Sequence, residues 1–312
     1  MTRHARFTID ADVAPQVTAC YLRVAGEECA FVEAHTAHAL PRLLAALAAG
    51  GKRPEDVRWV VVTHAHLDHA AGAGALLAAC PRATLLAHPR AAKNLIDPAN
   101  LVRGATEVYG EERFRRLYGH VTPVPRERVR ELVDGETFDL GGATLTAWHT
   151  SGHAYHHMVI DDPATETVYT GDTFGLVYPG LQAHGLFAMP STSPTGFNAD
   201  LARKSLDKVL SLGERFVCPT HFGAHEGALA IAAQVRRFVD RAGQWVEEAA
   251  QGDESMQDME ACLRSAWWGA IAEEAPRFGA AERALLEQDV ELNAKGLAYV
   301  ATARRAELAA RA

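Results

Sequence analysis

Short apolar runs bounded by turn residues fill the first two thirds of the chain, and helical spacing takes over in the last third. The run Ala19-Cys20-Tyr21-Leu22-Arg23-Val24, a Gly26-Glu27 turn and Cys29-Ala30-Phe31-Val32-Glu33 predict a hairpin inside a strand-rich region over 7–33. Residues 38–49 are rich in Ala and Leu and stop at Gly50-Gly51, which predicts a helix with a glycine terminator. The apolar run over 57–63 predicts a buried strand, 70–80 a helix ending before Pro81, and 83–87 a short strand. Residues 92–130 mix Tyr109, Phe114 and Tyr118 with many charges and close at Pro123 and Pro125. They predict a helical excursion over the sheet edge, where a lid would lie. Strands return at 136–139, 143–149, 156–161 and 167–171, punctuated by Asp134-Gly135 and Gly141-Gly142. Residues 174–197 show no periodicity, and a loop of that length inside a compact domain points to function.

A helix is predicted over 198–212 with Asn198 as its N-cap, then a strand over 215–218 leading to His221. After about residue 226 strand signals stop. Helices are predicted near 227–250, 255–274 and 280–310, the second opened by a capping box of Ser255 and Asp258. The expected organisation is one α/β domain over 1–225 and an all-helical extension over 226–312. Trp245, Trp267 and Trp268 in that extension read as packing residues.

The 312 residues carry a formal charge of −8, and no cluster of Lys or Arg is free of acids. Arg113, Arg115 and Arg116 follow Glu111 and Glu112 and read as a solvated helix face, so nucleic acid is not an expected partner. No apolar segment suits a signal peptide or a membrane span. The five cysteines are scattered without a C-x-x-C pair, which suits reduced thiols in a cytoplasm. Cys218 reads as a small buried hydrophobe. A small molecule is the expected partner, and the helical tail is compatible with a homodimer.

Candidate chemistry gathers at strand ends. His64-Ala65-His66-Leu67-Asp68-His69 follows the strand over 57–63 and puts four metal-binding side chains within six positions. His153 follows Ser151-Gly152, Asp172 follows Gly171, and His221 follows Pro219-Thr220, each at the end of another predicted strand. An aspartate after a glycine is by itself usually a turn. Here the order of four motifs speaks for a site. Imidazoles and carboxylates without a cysteine among them suit zinc, iron or manganese. His149, His156 and His157 are candidates for supporting a ligand or for plain packing.

This ordered set, H-x-H-x-D-H at 64–69, S-G-H at 151–153, G-D at 171–172 and T-H at 220–221, resembles the metallo-β-lactamase fold superfamily of hydrolases over residues 7–225. The resemblance implies a four-layer αββα sandwich. It implies two divalent metal ions, zinc before iron or manganese. His64, His66 and His153 would hold one ion, Asp68, His69 and His221 the other, and Asp172 would bridge them. It also implies hydrolysis by a metal-bridging hydroxide that Asp68 orients and whose proton it shuttles.

Within the superfamily, Asp172 and the expected lack of a signal peptide point away from a secreted antibiotic-destroying lactamase, the best-known subclass of which also uses a Cys ligand. The bridging-Asp pattern is shared with glyoxalase II thioesterases, acyl-homoserine lactonases and sulfur dioxygenases. The layout is similar to that of the quinolone-signal thioesterase of pseudomonads, with Val32-Glu33 in an early strand, Gly171-Asp172-Thr173-Phe174-Gly175 and a long helical C-terminus. The expected substrate is a small thioester, lactone or ester, with Tyr178, His184 and Phe187 as walls of its pocket. The alternatives are a mononuclear-iron oxidoreductase of the sulfur dioxygenase type and a partner-binding scaffold that retains the metal site.

Overall fold

The computed structural model describes residues 4–12, 14–192 and 196–310. It is a mixed α/β fold with two sheets and helices, followed by C-terminal helices, as the hydrophobic pattern predicts. The first sheet has six strands in sequence order: β1 (His4–Asp10), β2 (Ala19–Ala25), β3 (Glu28–Val32), β4 (Val57–Val61), β5 (Thr84–Ala87) and β6 (Val129–Glu131). The predicted hairpin is β2–β3, antiparallel with Tyr21 opposite Val32. The pairs β3–β4, β4–β5 and β5–β6 are parallel. The second sheet runs β11-β10-β9-β8-β7, from β7 (Glu136–Leu140), β8 (Ala143–His149), β9 (Met158–Asp162), β10 (Thr167–Leu176) and β11 (Phe216–His221).

Alternation along the strands sorts side chains between two cores. Tyr21, Ala30, Val32, Trp59 and Val61 of the first sheet pack with Phe138, Leu145, Ile160, Tyr169 and Cys218 of the second. Their neighbours Leu22, Phe31, Val60 and Leu85 face the other way, onto helical Leu43, Leu47, Leu76, Leu77 and Leu95. Strand β2 is buried along its whole length, as expected of a strand covered on both faces. Cys218 is buried, in keeping with its reading as a small core residue.

The helices are α1 (Leu40–Ala49), α2 (Leu67–Ala70), α3 (Ala73–Ala79), α4 (Pro89–Ile96), α5 (Ala99–Tyr109), α6 (Glu111–Tyr118), α7 (Ala199–Leu212), α8 (Ala228–Gln251), α9 (Met256–Glu274) and α10 (Ala280–Ala309). The helix predicted over 70–80 is in fact two helices. A Cβ on Gly72 would lie 2.5 Å from the Ala34 carbonyl oxygen and 2.6 Å from that of Thr36, so the chain turns there against residues 34–36. The excursion over 92–130 resolves into α4, α5 and α6, broken at Pro98 and at Gly110 (φ 76°). The loop expected from residue 174 begins later, because β10 continues to Leu176. Asn198 caps α7 by accepting from the Leu201 amide at 2.9 Å, and Ser255 caps α9 by accepting from the Asp258 amide at 3.2 Å.

The chain forms two compact units. The first comprises Met1–His149, His156–Gly171 and Leu212–Glu226; the second comprises Thr150–Tyr155, Asp172–Ser211 and Gly227–Ala312. Inside the second unit, the segment after Asp172 is tied to the C-terminal helices. The Ala188 amide donates to Gln234 of α8 at 2.8 Å, and the Thr192 amide to Asn293 of α10 at 2.7 Å. Among the described residues no helix is long and apolar enough to cross a membrane.

Candidate metal centre

In the first unit, β4 ends and the chain enters α2 through His66, whose extended backbone (φ −66°, ψ 149°) is the helix N-cap. The turn carries Asp68 and His69 back toward residues 33–35. The Ala34 amide donates to the His69 carbonyl at 2.9 Å, and the Gly72 amide to the His35 carbonyl at 2.8 Å. Glu33 (φ 69°) and His35 (φ 49°) both occupy the left-handed region, which non-glycine residues enter at a cost and which clusters at functional sites.

Five of the seven sequence-predicted ligands belong to this unit. Nε2 of His64 and Nδ1 of His66 lie 2.9 Å apart. Asp68, His69 and His221 each offer a donor atom within 4.8 Å of the others. Nε2 of His69 is 3.6 Å, and Nε2 of His221 3.5 Å, from Oδ2 of Asp68. The opposite ring nitrogens are engaged elsewhere: Nδ1 of His69 lies 3.2 Å from Oε1 of Glu33, and Nδ1 of His221 lies 3.1 Å from the Val17 carbonyl oxygen. Nδ1 of His64 sits 3.0 Å from Oγ1 of Thr63.

An imidazole held at one nitrogen by a carboxylate or carbonyl, with the other nitrogen turned to an anionic oxygen, is the arrangement found around metal-binding histidines. The donor set therefore fits a divalent ion bound by imidazole nitrogen and carboxylate oxygen. Burial alone would raise the Asp68 carboxyl, but the His69, His221 and His66 rings around it outweigh that and hold it well below the ordinary carboxylate range.

Glu33 is the residue that sequence reasoning passed over. Its buried carboxylate accepts from the Thr63 hydroxyl, from the Thr220 hydroxyl at 3.1 Å and from the Thr63 amide at 3.3 Å, besides its contact with His69. It thus joins the end of β4, the α2 turn and the end of β11. Tyr21 braces the same region, donating its hydroxyl to the Pro219 carbonyl at 2.6 Å. The signal for Glu33 was an acid ending an otherwise apolar strand, noted in sequence only as part of a dipeptide. His35 was missed altogether. Its Nδ1 lies 3.0 Å from the Asp68 carbonyl oxygen, and burial lowers its pKa.

The second unit contains the other two predicted ligands. Nε2 of His153 lies 3.3 Å from Oδ2 of Asp172, and Nδ1 of His153 lies 3.0 Å from the Ser191 carbonyl oxygen. Gly152 is required here: its φ is 135°, and a Cβ would sit 2.3 Å from the Ala202 nitrogen of α7.

Tyr178 and Phe187 are buried in the second unit. The Tyr178 hydroxyl lies 3.5 Å from Asp289, and the Phe187 ring packs 4.8 Å from that of Phe278 and 6.0 Å from that of Phe238. His184 is exposed. His156 and His157 belong to the first unit. Nδ1 of His156 accepts from the Ala65 amide at 3.3 Å, and His157 is fully buried with its ring 4.9 Å from that of His64.

A sequence profile described as the metallo-beta-lactamase superfamily matches residues 14–221. The chain is 29% identical over 175 residues to a metallo-beta-lactamase fold-containing protein of Sulfurisphaera tokodaii, covering 54% of this chain and 62% of that protein. It is 28% identical over 200 residues to an atrochrysone carboxyl ACP thioesterase of Aspergillus fumigatus, covering 64% of this chain and 48% of that protein. The chain therefore spans less than two thirds of the length of either relative. A solved archaeal metallo-beta-lactamase superfamily protein from Sulfolobus tokodaii superposes with a TM-score of 0.64 at 20% identity, covering 95% of this chain and 98% of that one. A metallo-beta-lactamase family protein from Thermus thermophilus does so with a TM-score of 0.63 at 19% identity, covering 97% and 94%. These two likenesses establish the fold.

Proposed function

This chain belongs to the metallo-beta-lactamase superfamily, and from that premise we propose that it is a metal-dependent hydrolase of small acyl compounds, a thioester before a lactone or ester. The observation that carries the reading is the donor set around Asp68: two imidazoles turned toward one carboxylate, each braced from behind. On the motif pattern, His64, His66 and His153 would hold one divalent ion and Asp68, His69 and His221 a second, with Asp172 as a further carboxylate ligand. Zinc suits this set best, with iron and manganese next. When bound, the ions supply a hydroxide at neutral pH and polarise the scissile carbonyl.

The chain's own residues do the rest. Asp68, with Oδ2 turned toward Nε2 of His69 and of His221, would accept a hydrogen bond from the attacking water and fix its direction. Glu33 holds His69 in the tautomer that leaves Nε2 as a lone-pair donor. The thioester preference draws support from the similarity to a protein named as a carrier-protein thioesterase.

A hydrolysis screen across thioesters, lactones and esters, with metal content measured on the same preparation, tests the proposal. About two ions per chain and loss of hydrolysis in His69→Ala and Asp172→Ala are expected. Unchanged hydrolysis in Asp172→Ala would sink it. One iron per chain with persulfide-dependent oxygen uptake would replace it with an oxidoreductase.

A further inference from the structure

The second unit contains a cavity of about 840 Å³, bounded by α7, α8, α10 and the segment after His153. That volume lies within the range of about 300–1,000 Å³ typical of small-molecule sites. Its apolar surface comes from Tyr155, Phe197, Val246 and Tyr299, with Asn198 and Gln244 as uncharged polar groups. Tyr155 and Tyr299 are nearly half exposed, so their rings offer accessible apolar surface with a polar tip.

The charges on the rim are arranged in two groups. Arg203 lies between Asp200 and Asp240, 2.7 Å from the latter. Arg304 lies between Glu247 at 3.2 Å and Glu307 at 3.3 Å. Each guanidinium is already shared by two carboxylates, and the lining keeps a formal excess of two negative charges. Phe197 also lines a small cleft that contains His153 and Asp172, so the cavity lies next to two of the predicted ligands within the same unit.

We propose that this cavity binds the non-reacting part of a neutral, amphipathic acyl compound and selects against polyanionic carriers of the same acyl group. The proposal rests on the reading that His153 and Asp172 belong to the hydrolytic site. The aromatic and aliphatic faces take a chain or ring, and Asn198 and Gln244 take amide or ether groups. Phosphates find no uncommitted guanidinium, because fork-to-carboxylate pairing already uses both arginines. They also meet net negative potential. Screening at physiological salt limits the resulting discrimination to about tenfold.

Binding of two thioether analogues to the full-length, metal-loaded protein tests this, measured by calorimetry. One is S-octyl N-acetylcysteamine, which is neutral; the other is S-octyl coenzyme A, which is polyanionic. The neutral analogue is expected to bind about tenfold more tightly. Ala303→Trp on α10 and Gln244→Trp on α8 plug the cavity from two helices and are each expected to weaken it about tenfold. Asp240→Asn with Glu307→Gln is expected to narrow the gap between the analogues at least threefold. Equal or tighter binding of the coenzyme A analogue overturns the proposal, as does undiminished binding of the neutral one in both plugged variants, or binding of neither.

Hydrolysis of octanoyl N-acetylcysteamine, followed in parallel, separates the two readings. Plug-sensitive binding without hydrolysis overturns the hydrolase and keeps the cavity. Hydrolysis untouched by both plugs overturns the cavity alone.

Discussion

Oε1 of Glu33 lies 3.2 Å from Nδ1 of His69, and both side chains are almost completely buried. The pairing fixes which nitrogen of His69 carries the proton and leaves Nε2 directed at Asp68. Replacing Glu33 by Gln keeps the shape but lets the amide present either face to the ring. Supporting groups of this kind are worth about 10–100-fold in metal affinity. We therefore expect Glu33→Gln to fold and to lose metal at correspondingly lower chelator concentrations. A chelator titration followed by metal analysis would decide it, and wild-type retention would refute the role assigned to Glu33.

Gly171 sets the floor beneath this region. Its φ is 49°, and a Cβ would lie 2.5 Å from Nε2 of His157 and 2.6 Å from Oγ1 of Thr63. Gly171→Ala should cost about 1–3 kcal/mol from backbone strain and overpacking together. Because Thr63 donates to Glu33, the variant should also retain metal less well. Urea unfolding reads the first effect and metal content the second; a midpoint equal to wild type would contradict the clash.

Arg23 and Asp162 form a fully buried ion pair between β2 and β9. Removing one partner strands the other charge in the core. Asp162→Ala is expected to lose about 3–5 kcal/mol of stability. Replacing both residues by apolar ones of similar size should restore much of that loss. Equilibrium unfolding of the single and double variants tests the pair, and a single variant within about 1 kcal/mol of wild type would show that it is not isolated from water.

His88 supplies a pH dependence away from the metal ligands. Its pKa is lowered to about 4, first by burial and then by the facing His149, His156 and Arg90. Its Nδ1 accepts from the Arg90 amide at 3.0 Å and so caps α4 in the neutral form. The unfolded chain takes up this proton near pH 6.5, as a free histidine does. The stability owed to the neutral ring is therefore complete above about pH 6.5 and is lost as pH falls from there through 4. His88→Asn keeps a capping oxygen and removes the titration. Its urea midpoint should fall less steeply than wild type between those pH values; parallel curves would count against His88 as the source.

Much of the fold was legible because its signals are local. Alternation marked the strands, glycines and caps such as Asn198 and Ser255 marked the helix ends, and histidines at strand ends marked the candidate ligands. What escaped depends on approach between distant segments. At the break, the Gly72 amide donates to the His35 carbonyl rather than along a helix, a partner that no helical periodicity reveals. Glu33 meets Thr220 across 187 positions, so its role appears only once β3 and β11 are folded. Phe187 and Tyr178 are of a type that serves packing and recognition alike, and sequence does not separate the two uses.

The second unit is assembled from three stretches of chain, and the helices come last. A chain made from its N-terminus must therefore keep residues 172–192 waiting until Gln234 and Asn293 have been synthesised. Vectorial synthesis then allows the first unit to acquire its sheets early and delays the surroundings of Asp172 until α10 has emerged. Nascent chains arrested once residue 226 has left the ribosome should show protease-resistant β strands but cleavage within 177–192. Protection of that segment at the same arrest point would rule out the delay.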